Sequence, residues 1–167
     1  PFFDHPGFIE ANRARLRETL SEVPPERRAA AHLLFSAHSI PMDMANGCDY
    51  ARELERVQSL VASDLPNRKS VVYQSRSGPP SQPWLEPDIR DHLAALRARG
   101  VTEVVLVPIG FVSDHLEVQW DLDIEAAARA RLSHANIVTV FEVGTYEEHP
   151  WVAMQYVPGG TARTWLK

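Results

Sequence analysis

The residues best equipped for chemistry are His38, which closes the apolar run LLFSAHSIP (33–41), and Ser113, His115 and Glu117 in SDHLE. A neutral imidazole near pH 7 can accept a proton or ligate a metal. Imidazole and carboxylate together suit a divalent first-row cation. Glu117, Asp121 and Glu125 recur every four residues, which places three carboxylates along one face of a helix. Trp84 stands in the Pro- and Gly-rich stretch RSGPPSQPWLEPD (76–88). Each has a plainer use: a hydrogen-bonded turn histidine, a lid over a core, a solvated acidic face. Together they fit a metal-handling or acid–base site, and the residue types alone leave its substrate open.

The elements that must position these residues follow from periodicity. Residues 8–22 place Phe8, Ile9, Leu16 and Leu20 at helical spacing and stop before Pro24-Pro25. Residues 30–37 are a short apolar run ended by His38-Ser39-Ile40-Pro41, which reads as a buried strand. Residues 42–49 read as a loop, with Asn46-Gly47 as a turn signal. Leu54, Val57, Leu60/Val61 and Leu65 predict a helix over 50–65. SVVYQS (70–75) is a second strand, and 87–99 a third helix with Gly100 as its stop. TEVVLVPIG (102–110) is a third strand, after which Asp114 is placed to cap a fourth helix.

Alternating strands and helices predict an α/β fold: a parallel sheet with helices on its faces. Ligands of such sheets bind outside the carboxyl ends of the strands. His38, the Trp84 loop and the Ser113–Glu117 group all follow those ends. Beyond about residue 130, NIVTVFEVG and WVAMQYVPGG flank TYEEHP and predict an antiparallel hairpin.

The chain has 167 residues, 44% hydrophobic and 23% charged, with a net charge of −5. That fits one globular domain with a real core and gives no nucleic-acid or anionic-membrane footprint. No stretch approaches the roughly 20 apolar residues that span a bilayer. The single cysteine, Cys48, excludes an internal disulfide and fits a reducing compartment. The start at Pro1 rather than Met reads as a piece of something longer.

PFFDHPGF (1–8), HLLFSAHSIP (32–41), VVYQSRSGPPSQPWLEPD (71–88) and PIGFVSDHLEVQWDLDIEA (108–126) resemble ferrochelatases, the coproporphyrin ferrochelatases of actinobacteria above all. The four motifs fall in the family's order over residues 1–126. The resemblance implies a class II chelatase half with a Rossmann-like sheet, and insertion of ferrous iron into coproporphyrin III or protoporphyrin IX in haem biosynthesis. His38 then matches the family's histidine and Glu117 the carboxylate facing it across the porphyrin. His115, Asp121 and Glu125 join them as metal-handling residues, and Ser36, Ser39, Trp84 and Ser113 fall in substrate-binding segments. Bending the flat macrocycle would expose its pyrrole N–H groups. Which of His38 and Glu117 first holds iron stays open. Iron enters as substrate, with no permanently bound cofactor. The four-cysteine [2Fe–2S] cluster of some relatives is not expected with Cys48 alone. The resemblance also implies a cytoplasmic enzyme, monomeric when whole, of which this chain carries the carboxyl-terminal half.

From about residue 125 the texture changes. SHANIV (133–138) and VAMQYVPGG (152–160) resemble the end of helix αC, strands β4 and β5 and the hinge of a bacterial serine/threonine protein kinase. The chain has no Gly-rich loop, strand lysine, HRD or DFG, so no kinase activity is expected. The expected division is a ferrochelatase carboxyl-terminal domain over 1–126 and a kinase-like fragment over 127–167.

Overall fold

The structure is a computed structural model that describes residues 3–79, 81–111, 140–146 and 149–154. The chain divides into two compact units, Pro1–Asp114 and His115–Lys167.

In the first unit α1 (Pro6–Glu22) begins with Pro6 at its first position, where a missing N–H costs nothing. The His5 ring accepts from the Gly7 amide as its cap. Ile9, Leu16 and Leu20 form its buried stripe. Pro24-Pro25 ends that helix as expected, and Pro25 also opens the four-residue α2 (Pro25–Arg28). The strand β1 (His32–His38) is buried until its last residue, as a strand covered on both faces must be.

The stretch read as a loop after β1 contains a helix, α3 (Met42–Asn46), with Pro41 at its N-cap and Asp43 in its first turn. Next come α4 (Tyr50–Val61), β2 (Lys69–Gln74), α5 (Ile89–Ala98) and β3 (Val104–Pro108). Asp88 caps α5 by accepting from the Arg90 amide at 2.8 Å. Gly100 ends it with φ 78°, a conformation that costs glycine little.

The sheet order is β2-β1-β3, parallel throughout, with His38 opposite Gln74 and Ser36 opposite Pro108. The crossovers leave helices on both faces. Leu33, Phe35 and Ala37 join one core with Ile9, Leu16 and Leu20 of α1 and Leu54, Val57 and Val61 of α4. The alternate residues of β1 turn to the face covered by α5, where the His32 and His92 rings meet edge-on at 6.0 Å. Burying each large core side chain contributes about 1.5–3 kcal/mol, so the doubly covered β1 anchors the unit. At the opposite edge from His38, Asn67 donates to the Arg28 and Ala31 carbonyls, each at 2.9 Å. Arg27 pairs there with Glu103.

In the second unit β4 (Val140–Tyr146) and β5 (His149–Met154) pair antiparallel, bringing Tyr146 opposite His149 and Gly144 opposite Trp151. The expected antiparallel pairing is present, with strands reaching further into TYEEHP than the sequence indicates. No helix among the described residues is long and apolar enough to cross a membrane.

Candidate active site

His38 is the last residue of β1 and half-buried at the carboxyl edge of the sheet. Its Nδ1 lies within hydrogen-bond reach of the Ser39 carbonyl. A carbonyl only accepts, so Nδ1 is the donor in this contact. The backbone of His38 is held as firmly: the Tyr50 hydroxyl, at the start of α4, donates to the His38 carbonyl at 3.0 Å. Burial first, then the neighbouring Tyr73 and Cys48, push the Tyr50 phenol up to about 12. Tyr50 therefore stays a donor at any ordinary pH. Nothing in the sequence around Tyr50 marks this role, because it depends on where α4 lands beneath β1.

The Trp84 loop is stitched to the segment that follows His38. Ser39 N donates to Gln74 O at 2.7 Å, Leu85 N to Ile40 O at 3.0 Å and Met42 N to Pro83 O at 2.9 Å. The Ser39 hydroxyl donates to the Leu85 carbonyl at 3.0 Å. Pro41 and Trp84 form an isolated bridge. Trp84 is half-buried, and its indole Nε1 finds no partner among the described residues. Gly78, with φ 91°, sits against the Trp84 ring. The loop thus forms one rim of the edge that carries His38.

Ser36 and Ser39 lie in the floor of this edge: they are 0% and 2% exposed. The Ser39 hydroxyl is committed to Leu85. Gln74, opposite His38 on β2, is 1% exposed, with neither amide atom partnered among the described residues. The sequence reading passed over it. A glutamine closing the run Val71-Val72-Tyr73 was the signal available.

On the other side of the sheet a recess of about 190 Å³, lined mainly by Phe3, Phe8, Leu54, Val57 and Ile109, opens beside Tyr50. It falls below the roughly 300 Å³ of the smallest ligand pockets and is no rival site. Gly110 closes the end of β3 over β1, its amide donating to the Ser36 carbonyl at 3.1 Å. Ser113, His115, Glu117, Asp121 and Glu125, with the helix expected from Asp114, lie outside the described residues. Among the described residues no three His, Cys, Asp or Glu side chains converge to hold a metal. Cys48 is exposed between α3 and α4. The structure thus brings His38, Ser36, Ser39 and Trp84 to one sheet edge.

The ferrochelatase family profile matches residues 1–155. It therefore runs through much of the segment whose residues read as kinase-like. The chain is 48% identical over 133 residues to the coproporphyrin III ferrochelatase of Mycolicibacterium vanbaalenii, covering 77% of this chain and 39% of that protein. It is 43% identical over 160 residues to the coproporphyrin III ferrochelatase of Mycobacteroides abscessus, covering 93% and 46%. With the ferrochelatase of Rhodopirellula baltica it shares 45% identity over 151 residues, 87% of this chain and 42% of that one. The chain spans less than half the length of these curated relatives. Its parallel sheet, the histidine at the end of the central strand and the profile match lead to one conclusion: the chain belongs to the ferrochelatase family.

Proposed function

We propose that this chain forms one wall of a ferrochelatase site and acts in inserting ferrous iron into a porphyrin, releasing two protons. The observation that carries the reading is His38, with its backbone pinned by Tyr50 and its Nδ1 donating to the Ser39 carbonyl, at the sheet edge where such folds bind ligands. Relatives named for coproporphyrin III favour that porphyrin over protoporphyrin IX. In this reading His38 and Glu117 face the macrocycle, one taking pyrrole protons and the other receiving iron. His115, Asp121 and Glu125 extend a charged path for cations or protons. Trp84 and Ser113 border the porphyrin, while Ser36 and Ser39 support it from the floor. Bending of the macrocycle supplies part of the barrier reduction, because binding energy is then used where the N–H groups must be reached. Iron is substrate, and no resident cofactor or iron–sulfur cluster enters the proposal. The setting is the cytoplasm, and the whole enzyme acts as a monomer.

A second reading has an observation of its own. The chain covers 39–46% of its relatives, and half a site can bind a porphyrin without turning it over. Coproporphyrin III titrated into the full chain, followed by Zn²⁺, separates the two by absorbance. A shifted porphyrin band followed by the metallated spectrum supports the enzyme. A shifted band without product selects the binding half-site, and an unchanged band counts against both.

The division near residue 126 and the kinase-like character of 127–167 are a separate proposal, supported by SHANIV and VAMQYVPGG alone. The tail is a fusion without kinase activity, because the parts that hold ATP and magnesium are missing from it. Micromolar binding of a labelled nucleotide by the full chain would count against that.

A further inference from the structure

Two buried polar side chains lie beside His38 on the α5-facing side of the sheet without using their hydrogen-bonding capacity. Ser36 is 0% exposed and Gln74 1% exposed. The Ser36 hydroxyl and both ends of the Gln74 amide find no partner among the described residues. Register places Gln74 directly opposite His38, and Ser36 opposite Val72, two residues earlier on the same face. Ser36, His38 and Gln74 therefore mark the corners of one triangle. Diagonal neighbours on a sheet face stand about 7–8 Å apart at their backbones.

Leaving such groups dry forfeits the hydrogen bonds that water gives them in the unfolded chain. Native chains meet that cost with ordered water wherever two or more polar partners converge. The Ser36 hydroxyl and the Gln74 amide supply donors and acceptors together. We propose that Ser36 and Gln74 bind an ordered water beside His38 and, through it, act as positioning residues for the His38 end of β1. The positioning half rests on the ferrochelatase reading above; the water site stands without it.

The test is carried out in the full chain with Ser36→Ala, the near-isosteric Gln74→Met and the double variant. A dry pair predicts unchanged or raised Tm, because apolar replacement of unpartnered groups is neutral or stabilising. The water site predicts that each single variant lowers Tm by about 2–6 °C. The double variant then loses less than the sum, since both groups hold the same molecule. An unchanged or raised Tm, or full additivity, overturns the site. Porphyrin metallation tests the positioning: kcat falls about tenfold in Gln74→Met with KM unchanged. An unchanged kcat leaves a structural water only and overturns the positioning role. Failure of the ferrochelatase reading shows separately, as metallation that His38→Ala does not slow.

Discussion

The Tyr50 hydroxyl donates to the carbonyl of His38 at 3.0 Å, linking the first turn of α4 to the last residue of the central strand. The two residues are twelve apart in sequence and belong to different layers. A helix beneath the sheet thereby fixes the backbone that aims the site's histidine.

Tyr50→Phe keeps the ring and removes only that donor. A net hydrogen bond contributes about 0.5–1.5 kcal/mol, and the abandoned carbonyl pushes the loss toward the upper end. Urea unfolding should show a lower midpoint at unchanged slope, because the folded surface is the same. An unmoved midpoint would mean that the bond contributes nothing to the position of His38.

Gly110 is a second constraint on the same edge. A Cβ built there would stand 2.6 Å from Ala37 Cβ and 2.7 Å from Ala37 Cα. The backbone atom cannot rotate away, so Gly110→Ala should cost about 1–3 kcal/mol as overpacking. Adding Ala37→Gly removes only one of the two collisions and should restore stability in part. Thermal melting of the three variants checks both statements.

The Ser39 hydroxyl holds the Trp84 loop through the Leu85 carbonyl, while the Leu85 amide donates to Ile40. Ser39→Ala should therefore loosen the loop without unfolding the sheet. Hydrogen exchange at the Leu85 amide should quicken while exchange at Phe35 stays as slow as before. Equal acceleration at both amides would assign Ser39 to global stability instead.

His32 and His92 give the unit a dependence on pH. Burial is the main cause that lowers both below the ordinary 6.5, with His92 and Arg99 adding to it at His32 and Arg99 adding to it at His92. Arg68 adds a further push on His32, whose Nε2 lies 2.9 Å from the Ser70 hydroxyl. The folded state thus holds fewer protons than the unfolded one once pH falls below 6.5. Stability is complete above that value and declines as pH falls toward the lowered folded values. Urea midpoints at about pH 7.5 and pH 5 should differ in that direction. His92→Gln should flatten the difference, and an unchanged slope would exclude the pair as its source.

The β-strands and long helices were legible because their apolar periodicity is strong and local. Leu54, Val57 and Val61 become one buried stripe as their spacing requires. His38 was legible for a similar reason, since a strand's end can be read where its apolar run stops. Two short elements were not. Pro25 reads as a helix stop and serves as the first residue of α2. In α3, MDMAN is too short to show a period. Tyr50 and Gln74 escaped because their importance is non-local: one is set by where α4 packs, the other by the parallel register that brings β2 beside His38. The carboxylate row at Glu117, Asp121 and Glu125 rests on its four-residue spacing and on the family resemblance.

The central claim is that His38 and Glu117 act on a metal within a porphyrin. It is tested most directly by zinc insertion into coproporphyrin III, followed by fluorescence, in the full chain and in His38→Ala and Glu117→Ala. Loss of a positioned proton acceptor or ligand predicts metallation slower by about 10²-fold or more in each variant, with the fold intact by circular dichroism. Equal rates in all three would contradict the claim.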